Sequence, residues 1–222
     1  MLPRIAAITI GQSPRPDIIP ELRALIGKPV EIVELGALDA LELAAIEKLA
    51  PRAGEFPLVT RLRDARSVRL HPAWVEERLQ ECISQLDPEV ELILLLCTGS
   101  FRPFRAQKPI LFPGQLLLAI TKSIAADKRL GIMTPDPAQQ EEQLRRWHAV
   151  SPEVIIQPAN PYESGRAIEL AARQLAAAAC AVVVMDCLGY TLAMQALVRQ
   201  IVQKPVLLAR SVLARVAAEM LP

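Results

Sequence analysis

The chain has 222 residues, of which 52% are hydrophobic, and its 25 basic side chains nearly balance its 24 acidic ones. This composition can bury the core of one domain or of two small lobes, and it argues against an intrinsically disordered chain. Because the formal net charge is only +1, we expect neither nucleic acid nor a membrane as a partner.

The N-terminal sequence MLPRIAAITIGQSP does not have the pattern of a signal peptide, because its apolar stretch is very short and Gly11 and Pro14 follow it. The longest apolar stretch, LAAAACAVVVM, is shorter than the roughly 20 residues that a membrane span needs. The four cysteines lack the CxxC spacing of zinc sites, and a secreted disulfide framework has little support. We therefore expect a soluble cytoplasmic protein without a bound metal.

Short apolar runs alternate with amphipathic stretches along the whole chain. Nearly continuous apolar runs predict buried parallel strands, and amphipathic stretches predict the helices that cover both faces of the sheets. The predicted strands, in chain order, are RIAAITIG, VEIVELG, ELILLLCTG, RLGIMTP, EVIIQPANP, AVVVMDCLG and KPVLLA. The predicted helices are RPDIIPELRALIG, DALELAAIEKLAP, a segment after His71 and Pro72, PAQQEEQLRRWHAV, ESGRAIELAARQLAAAA, a segment before KPVLLA, and SVLARVAAEML.

Local signals refine several of these elements. Gly27 closes the first helix, and the spacing of Asp39 and Glu42 is that of a capping box at the start of the second, which ends at Pro51. The alternating polar residues of PLVTRLRDARSVRL predict a hairpin. We therefore predict two α/β lobes, with their seam in the Pro-rich segment 101–114.

Two predicted strands end in the same motif, a cysteine followed after one residue by a glycine. These are Cys97 with Gly99 and Cys187 with Gly189. Ligands of open parallel sheets bind beyond the carboxyl ends of the strands, where a glycine lets the chain turn sharply and exposes amides that can hold a carboxylate. Two such edges that face each other would enclose a small anion between two thiols. The alternative is that each cysteine is a small hydrophobic residue that ends a strand.

Other reactive side chains have simpler interpretations. Cys82 and Cys180 lie within predicted helices and are expected to be structural. Asp186 is expected to be paired at the end of its strand, because an unpaired buried carboxylate is costly. Structural or surface roles are predicted for His71 and His148. The arginines near the motif loops, which could meet an anionic substrate or simply be exposed, are Arg15, Arg102 and Arg105.

The sequences TIGQSPRPDIIPEL, LLLCTG, MDCLGY and PVLLARSVLARVAAEML resemble the AroM family, a bacterial group, and the resemblance extends along almost the whole chain. More remotely, the repeated cysteine pattern is similar to the aspartate, glutamate and hydantoin racemase superfamily. This resemblance implies two pseudosymmetric three-layer α/β lobes with mostly parallel sheets, in which the final segment returns to the first lobe. The implied bounds are 1–105 plus 205–222 for the first lobe and 106–204 for the second.

The resemblance also implies catalysis without a cofactor, with Cys97 and Cys187 as the catalytic thiols in a cleft between the lobes. Thr98 matches the first Cys-Thr motif, whereas Gly99 stands where amino-acid racemases commonly have Asn. Leu188 replaces the usual Thr, and Tyr190 falls near a position where glutamate racemases often have His. These departures argue against plain glutamate racemization.

Substrate-binding residues are expected in three loops at the strand ends. The first loop occupies the region where the superfamily contributes substrate-binding or acid-base groups. Helix starts after Gly99 and Gly189 are expected to direct positive potential toward the thiols. The predicted set is Gly11, Gln12, Ser13, Thr98, Gly99, Ser100, Leu188, Gly189, Tyr190 and Thr191.

Two classes of function remain open from the sequence. The first is a cofactor-independent isomerase, racemase or carbon-acid lyase that acts on a small carboxylate. The second is a non-catalytic small-anion-binding or regulatory protein on the same fold, consistent with the missing Thr after Cys187. A cysteine phosphatase is not predicted, because Pro103 and Ala193 occupy the positions where its arginine would be, and no dinucleotide or P-loop motif is present. Exposed helices allow a homodimer.

Overall fold

A computed structural model describes residues 2–53, 55–163 and 165–222 of the chain. It divides into two compact units, Met1–Pro113 with Leu213–Pro222, and Gly114–Val212. The predicted divisions, after residues 105 and 204, both lie earlier in the chain than the observed ones, which follow Pro113 and Val212.

The first unit contains a four-stranded parallel sheet in the order β2-β1-β5-β6 and a separate antiparallel hairpin of β3 and β4. Its elements are β1 (Arg4–Thr9), α1 (Ile19–Ile26), β2 (Glu31–Gly36), α2 (Leu43–Glu47), β3 (Leu58–Arg61), β4 (Ser67–Leu70), α3 (Pro72–Leu86), β5 (Leu92–Leu95) and β6 (Ile110–Leu111).

The second unit contains another four-stranded parallel sheet, in the order β10-β9-β7-β8. Its elements are β7 (Leu130–Thr134), α5 (Gln140–His148), β8 (Val154–Pro158), α6 (Gly165–Ala177), β9 (Val182–Met185), α7 (Leu192–Val202) and β10 (Val206–Leu208). The helices α4 (Pro113–Ala125) and α8 (Ala209–Met220) cross the divisions between the units.

Both parallel sheets follow the same order of strands. In each, the first strand of the unit lies between the second and the third, and the fourth lies outside the third. The third strands, β5 and β9, are therefore equivalent, and Cys97 and Cys187 each follow one of them by two residues.

The central strands are buried on both faces, which explains their nearly continuous apolar sequences. Every residue of β5, β7 and β9 is buried, as are five of the six in β1. In the first unit, the α3 residues Val75, Leu79 and Ile83 share a core with the sheet residues Ile8 and Ile93. Both sheets are covered in the way that a three-layer α/β fold requires, and the predicted fold class is confirmed.

Several local predictions are also confirmed. Gly27 adopts the left-handed conformation (φ 67°) at the end of α1, and its N–H donates to the carbonyl of Arg23. PLVTRLRDARSVRL forms the β3–β4 hairpin. His71 caps α3, since its side chain accepts a hydrogen bond from the N–H of Ala73.

The predicted capping box at Asp39 and Glu42 is wrong. The helix begins later, with Glu42 as an N-cap whose side chain makes no capping bond, and it ends at Glu47 rather than at Pro51. The Asp39 carboxylate instead accepts hydrogen bonds from Ser13 and from the N–H of Gly36. Because the Asp39 carboxylate already accepts these hydrogen bonds, it does not cap a helix at this position.

Two more departures concern helices. The sequence PGQLLLAITKSIA, for which no element was predicted, forms the whole of α4, and β6 lies within the segment predicted to be the seam. Cys180 does not lie in a helix, because α6 ends at Ala177 and Ala179 adopts a left-handed φ of 54°. A run of alanines contains no residue type that marks such an end.

In the part of the chain that the structure describes, no helix is long and apolar enough to cross a membrane.

Candidate active site

Cys97 lies in a turn at the carboxyl end of β5 and is partly exposed. The backbone N–H of Gly99 donates a hydrogen bond to its Sγ, with an N–S distance of 3.4 Å. The turn therefore folds back on the sulfur. An amide that donates to sulfur stabilises negative charge there, which is what a reactive thiolate needs.

Cys187 lies in an equivalent turn at the carboxyl end of β9, and it is also partly exposed. The N–H of Gly189 donates to its Sγ, again over 3.4 Å. The repeated Cys-x-Gly motif thus has the same local geometry in both units, at the end of the equivalent strand.

The two glycines are closely surrounded by neighbouring side chains. A methyl group at Gly99 would lie 2.9 Å from Leu58 Cδ2, and one at Gly189 would lie 2.7 Å from the hydroxyl of Tyr162. Among the described glycines only Gly27 has a left-handed φ, so the sharp turns at Gly99 and Gly189 form without a left-handed glycine. Close contacts from neighbouring segments are the reason for glycine at these positions.

Only one of the two predicted helix starts is present. Thr191 caps α7, its Oγ1 accepting from the N–H of Met194 over 3.2 Å, so the positive end of α7 lies close in sequence to Cys187. Residues 100–109 form no helix, and the predicted helix start after Gly99 is wrong. Pro103 and Pro109 disfavour helical backbone there.

Leu188 and Tyr190 are both buried, and Tyr190 belongs to the core of the second unit. Leu188 is 2% exposed, Tyr190 is fully buried, and the Tyr190 hydroxyl donates to the carbonyl of Ala159 over 2.7 Å. Burial raises the pKa of Tyr190 well above its ordinary value, and nearby Cys187 and Asp186 add to the increase. Tyr190 therefore stays a neutral donor that ties the Cys187 turn to the core. Its predicted contact with substrate stays a prediction.

Asp186, the residue before Cys187, is paired with donors in the core, as the sequence predicted. Its Oδ2 accepts from Trp147 Nε1 over 3.0 Å and from Arg146 Nη1 over 3.2 Å. Both donors come from α5 and bind the same oxygen of a carboxylate that is only 1% exposed. Asp186 is thus a structural partner of α5.

Arg210 is a component of this site that the sequence analysis missed. Its guanidinium donates from Nε and Nη2 to the carbonyl of Leu188, over 3.1 and 2.7 Å, and the residue is only 1% exposed. It lies in the first turn of α8, directly after β10. An arginine at the carboxyl end of a buried strand was the available signal, because this edge of a parallel sheet is where ligands bind.

The loop after β1, which contains Gly11, Gln12 and Ser13, is fixed by hydrogen bonds within the first unit. Ser13 donates to Asp39 from both its N–H, over 2.7 Å, and its Oγ, over 2.6 Å. Gly11 donates from its N–H to Thr9 Oγ1 over 3.1 Å. Because Asp39 holds both donors of Ser13, an acid does contact this turn, although none is adjacent to it in sequence.

The β3–β4 hairpin lies along the carboxyl ends of β1 and β5. A methyl group at Gly11 would be 2.4 Å from Thr60 Oγ1, and Leu58 of the same strand lies against Gly99. The N–H of Arg63 donates to Gln12 Oε1 over 3.1 Å. The hairpin therefore forms one wall of the candidate site in the first unit.

A pocket of ≈ 260 Å³ opens beside this wall. Gln12, Asp39, Arg63 and Arg66 are among the side chains that line it. Arg63 also donates from Nη2 to Asp39 over 2.8 Å and from Nε to the carbonyl of Ser13. The contacts of Asp39 and Arg63 with the loop after β1 were not predicted from the sequence, because neither residue lies near Ser13 along the chain.

The three arginines expected near an anionic substrate differ in their surroundings. Arg15 is 3% exposed and donates from Nη1 to Thr9 and from Nε and Nη2 to Asp17. Burial raises the pKa of Asp17, but the hydrogen bonds and charge of Arg15 outweigh it and lower the pKa overall. Arg102 pairs with Glu76 over 3.3 Å, and Arg105 is exposed. For all three, contact with a substrate stays a prediction.

The remaining cysteines and histidines lie in ordinary structural surroundings. Cys82 and Cys180 are 4% and 2% exposed, and burial raises the pKa of both thiols. His148 ends α5 on the surface. Among the described residues, no group of three or more His, Cys, Asp or Glu side chains could hold a metal ion.

Several solved structures share this fold at low sequence identity. Allantoin racemase from Klebsiella pneumoniae is 18% identical with a TM-score of 0.65, and the match covers 98% of this chain and 87% of that chain. Maleate isomerase Iso from Pseudomonas putida S16 is 14% identical with a TM-score of 0.58, covering 100% and 94%. Glutamate racemase from Aquifex pyrophilus is 12% identical with a TM-score of 0.57, covering 99% and 84%.

No curated protein sequence is significantly similar to the chain. A model of one protein family, described as AroM protein, matches residues 5–221, which include both Cys-x-Gly turns and the loop after β1. Because this match extends over nearly the whole sequence, the chain belongs to the AroM family.

Proposed function

We propose that this protein is a cofactor-independent isomerase, racemase or carbon-acid lyase that acts on a small carboxylate through Cys97 and Cys187. One observation carries the proposal. Each unit ends its equivalent central strand with a partly exposed cysteine whose sulfur accepts an amide hydrogen bond from a glycine two residues later. Two matched sulfurs are what a reaction with two proton-transfer groups requires.

In the proposed reaction, one thiolate removes the proton beside the substrate carboxylate. The electron pair of the broken C–H bond moves into the carboxylate, which becomes enediolate-like, and the second thiol donates its proton to the opposite face of the carbon. One thiol has then gained a proton and the other has lost one, so no oxidant, reductant or cofactor is consumed.

Positive groups in the second unit suit the developing negative charge. The amino-terminal end of α7 follows the Cys187 turn, and the buried cation of Arg210 contacts the turn itself. In the first unit, the amides of Thr98 and Ser100 are the proposed carboxylate ligands, with the Ser100 hydroxyl as a further donor. The hairpin wall at Gly11 and Gly99 would limit the substrate to a small molecule.

The structural relatives support the same class of reaction. Two are named as racemases of allantoin and glutamate, and the third is named as an isomerase of maleate. All three names describe a rearrangement without net oxidation. We extend that class of reaction, and not any of the three substrates, to this chain.

The test is incubation of the protein in heavy water with small dicarboxylates, amino acids and aromatic acids. We expect solvent deuterium to enter the carbon skeleton of at least one compound, detected by NMR or mass spectrometry, and Cys187→Ser to lower the rate of incorporation by about 10²–10⁴-fold. Cys82→Ser is the matched control, since this buried thiol lies in α3 and should leave incorporation unchanged. Binding of an acid without exchange would contradict the proposal and favour an anion-binding protein.

A further inference from the structure

The peptide unit between Leu188 and Gly189 is held at both of its ends. Its N–H, from Gly189, donates to Cys187 Sγ over 3.4 Å. Its C=O, from Leu188, accepts from Arg210 Nε over 3.1 Å and from Nη2 over 2.7 Å. In a trans peptide the C=O and N–H point in opposite directions. Arg210 and the sulfur therefore lie at opposite ends of a single peptide dipole.

The fold itself sets this arrangement. β10 pairs with β9 in parallel register, Leu208 opposite Met185, so that both strands reach the same edge of the sheet. The chain leaves β9 into the Cys187 turn and leaves β10 into α8, whose second residue is Arg210. A shift of either strand along the other would separate the guanidinium from the Leu188 carbonyl.

The charge of Arg210 gives the contact an electrostatic consequence. A guanidinium stays protonated at every pH at which a protein is folded, and at 1% exposure its charge is poorly screened by water. Hydrogen bonds in a chain polarise one another, and a cation at the carbonyl end makes the N–H at the other end a stronger donor. This strengthens the bond to the sulfur most when the sulfur is negative.

We propose that Arg210 is a positioning residue for Cys187, which orients and polarises the 188–189 peptide so that its N–H stabilises the thiolate. The inference rests on the proposed function, because it assigns regulation of the same thiol. It adds a further difference between the two turns, since Arg210 contacts the turn that contains Cys187. Cys97 accepts the same amide bond and serves as an internal comparison.

The experiment measures the rate of iodoacetamide alkylation of each cysteine as a function of pH, with peptides resolved by mass spectrometry and no substrate present. The variant is Arg210→Gln. The matched control is Arg199→Gln, because Arg199 also donates to a backbone carbonyl of this unit, that of Val206 over 3.1 Å. The ionisable groups around the turn, Asp186, Tyr162 and Tyr190, are unchanged in both.

We expect Arg210→Gln to move the midpoint of the Cys187 profile upward by about one pH unit, while the Cys97 profile stays in place. Below the midpoint, the thiolate fraction falls about tenfold, but the more basic thiolate is roughly threefold more nucleophilic, so the Cys187 rate falls about threefold. Arg199→Gln should leave both profiles unchanged. Equal shifts of both cysteines, or no shift of Cys187, would overturn the inference.

A measurement on the unmodified protein keeps the test independent of how the variant folds. The side-chain Nε–H resonance of Arg210 should shift with pH at the midpoint of Cys187 alkylation, because the thiolate and the guanidinium share one peptide. A resonance that does not move across that midpoint contradicts the proposed coupling between Arg210 and Cys187 through the 188–189 peptide. Neither readout needs substrate, so a failure of the proposed function, seen as absent deuterium exchange, is distinguishable from a failure of this inference.

Discussion

Burial divides the four cysteines of the chain into two pairs. Cys97 and Cys187 are partly exposed at strand ends, whereas Cys82 and Cys180 are 4% and 2% exposed. Burial raises the pKa of the Cys82 and Cys180 thiols, so they stay protonated and unreactive to a higher pH. The sequence predicted this division from the strand-end context, but the amide bonds to sulfur need the folded turns.

We therefore predict that iodoacetamide near pH 8 modifies Cys97 and Cys187 at least about tenfold faster than Cys82 and Cys180. Mass spectrometry of peptides from the native protein measures the four rates. Unfolding the protein in urea should make the rates similar. Fast native labelling of Cys82 or Cys180 would contradict the assignment of these two as structural.

Serine substitutions distinguish a two-thiol from a single-thiol reaction. A serine hydroxyl is a much weaker base than a thiolate, so in the two-thiol reaction Cys97→Ser and Cys187→Ser should each lower turnover by about 10²–10⁴-fold. In a single-thiol reaction only Cys187→Ser has this effect. Rates of deuterium incorporation or product formation measure it, and full activity in a folded Cys187→Ser protein would exclude the role proposed for Cys187.

The glycines of the Cys-x-Gly motif give a prediction about the stability of the fold. Gly189→Ala places a methyl group 2.7 Å from the Tyr162 hydroxyl and 2.8 Å from Pro161, and we expect a loss of about 1–3 kcal/mol in the free energy of unfolding. Gly165→Ala is the control, because a methyl group there meets nothing within 4 Å. Urea titrations of both variants provide the comparison, and equal stabilities would show that Gly189 is not constrained by space.

Among the secondary-structure elements, the buried strands were predictable and the contacts between distant segments were not. β1, β5, β7 and β9 are apolar because both of their faces are covered, and this signal is local in sequence. The two-residue β6 is too short to show any periodicity. The position of the β3–β4 hairpin against Gly11 and Gly99 depends on tertiary packing, so its part in the site was not predictable.

Asp39 is an example of a contact between distant segments that holds the candidate site together. Its carboxylate accepts from the N–H and Oγ of Ser13, from the N–H of Gly36 and from Arg63. It therefore connects the loop after β1, the end of β2 and the hairpin. Removing it would leave several partly buried donors without an acceptor.

We predict that Asp39→Ala lowers the free energy of unfolding by about 2–4 kcal/mol, because each buried donor left unsatisfied is costly. Asp64→Ala on the same hairpin is the matched control. Asp64 pairs with Arg66 at the surface, where an ion pair contributes little, so its loss should be clearly smaller. Chemical denaturation measures both, and similar losses would contradict the role of Asp39 as the connection between these elements.

At the scale of the whole molecule, the shared strand order of the two units is the feature that gives the repeated motif its meaning. β5 and β9 occupy equivalent places, each beside the first strand of its unit and inside the fourth. The sequence predicted two α/β lobes from the repeated rhythm of strands and helices. Where the units divide was harder to predict, since α4 and α8 cross the divisions without a flexible linker.

The proposed reaction makes a demand on the distance between the two sulfurs. A proton donor and a proton acceptor on opposite faces of one carbon each lie about 3.5 Å from it, so the sulfurs of Cys97 and Cys187 should approach about 7 Å in the substrate-bound protein. A bifunctional alkylating reagent of that span should therefore join these two cysteines within one chain. Peptide mass spectrometry identifies the cross-link.

Two comparisons make the cross-linking result specific. Cys187→Ser should give only single adducts at Cys97, and Cys82→Ser should cross-link like the unmodified chain, because Cys82 is buried in α3. A small carboxylate that exchanges deuterium should slow the cross-link, since substrate and reagent would compete for the space between the same thiols. If the reagent gives only single adducts on Cys97 and Cys187, the two sulfurs do not share a substrate, and single-thiol chemistry at Cys187 becomes the better account of the motif.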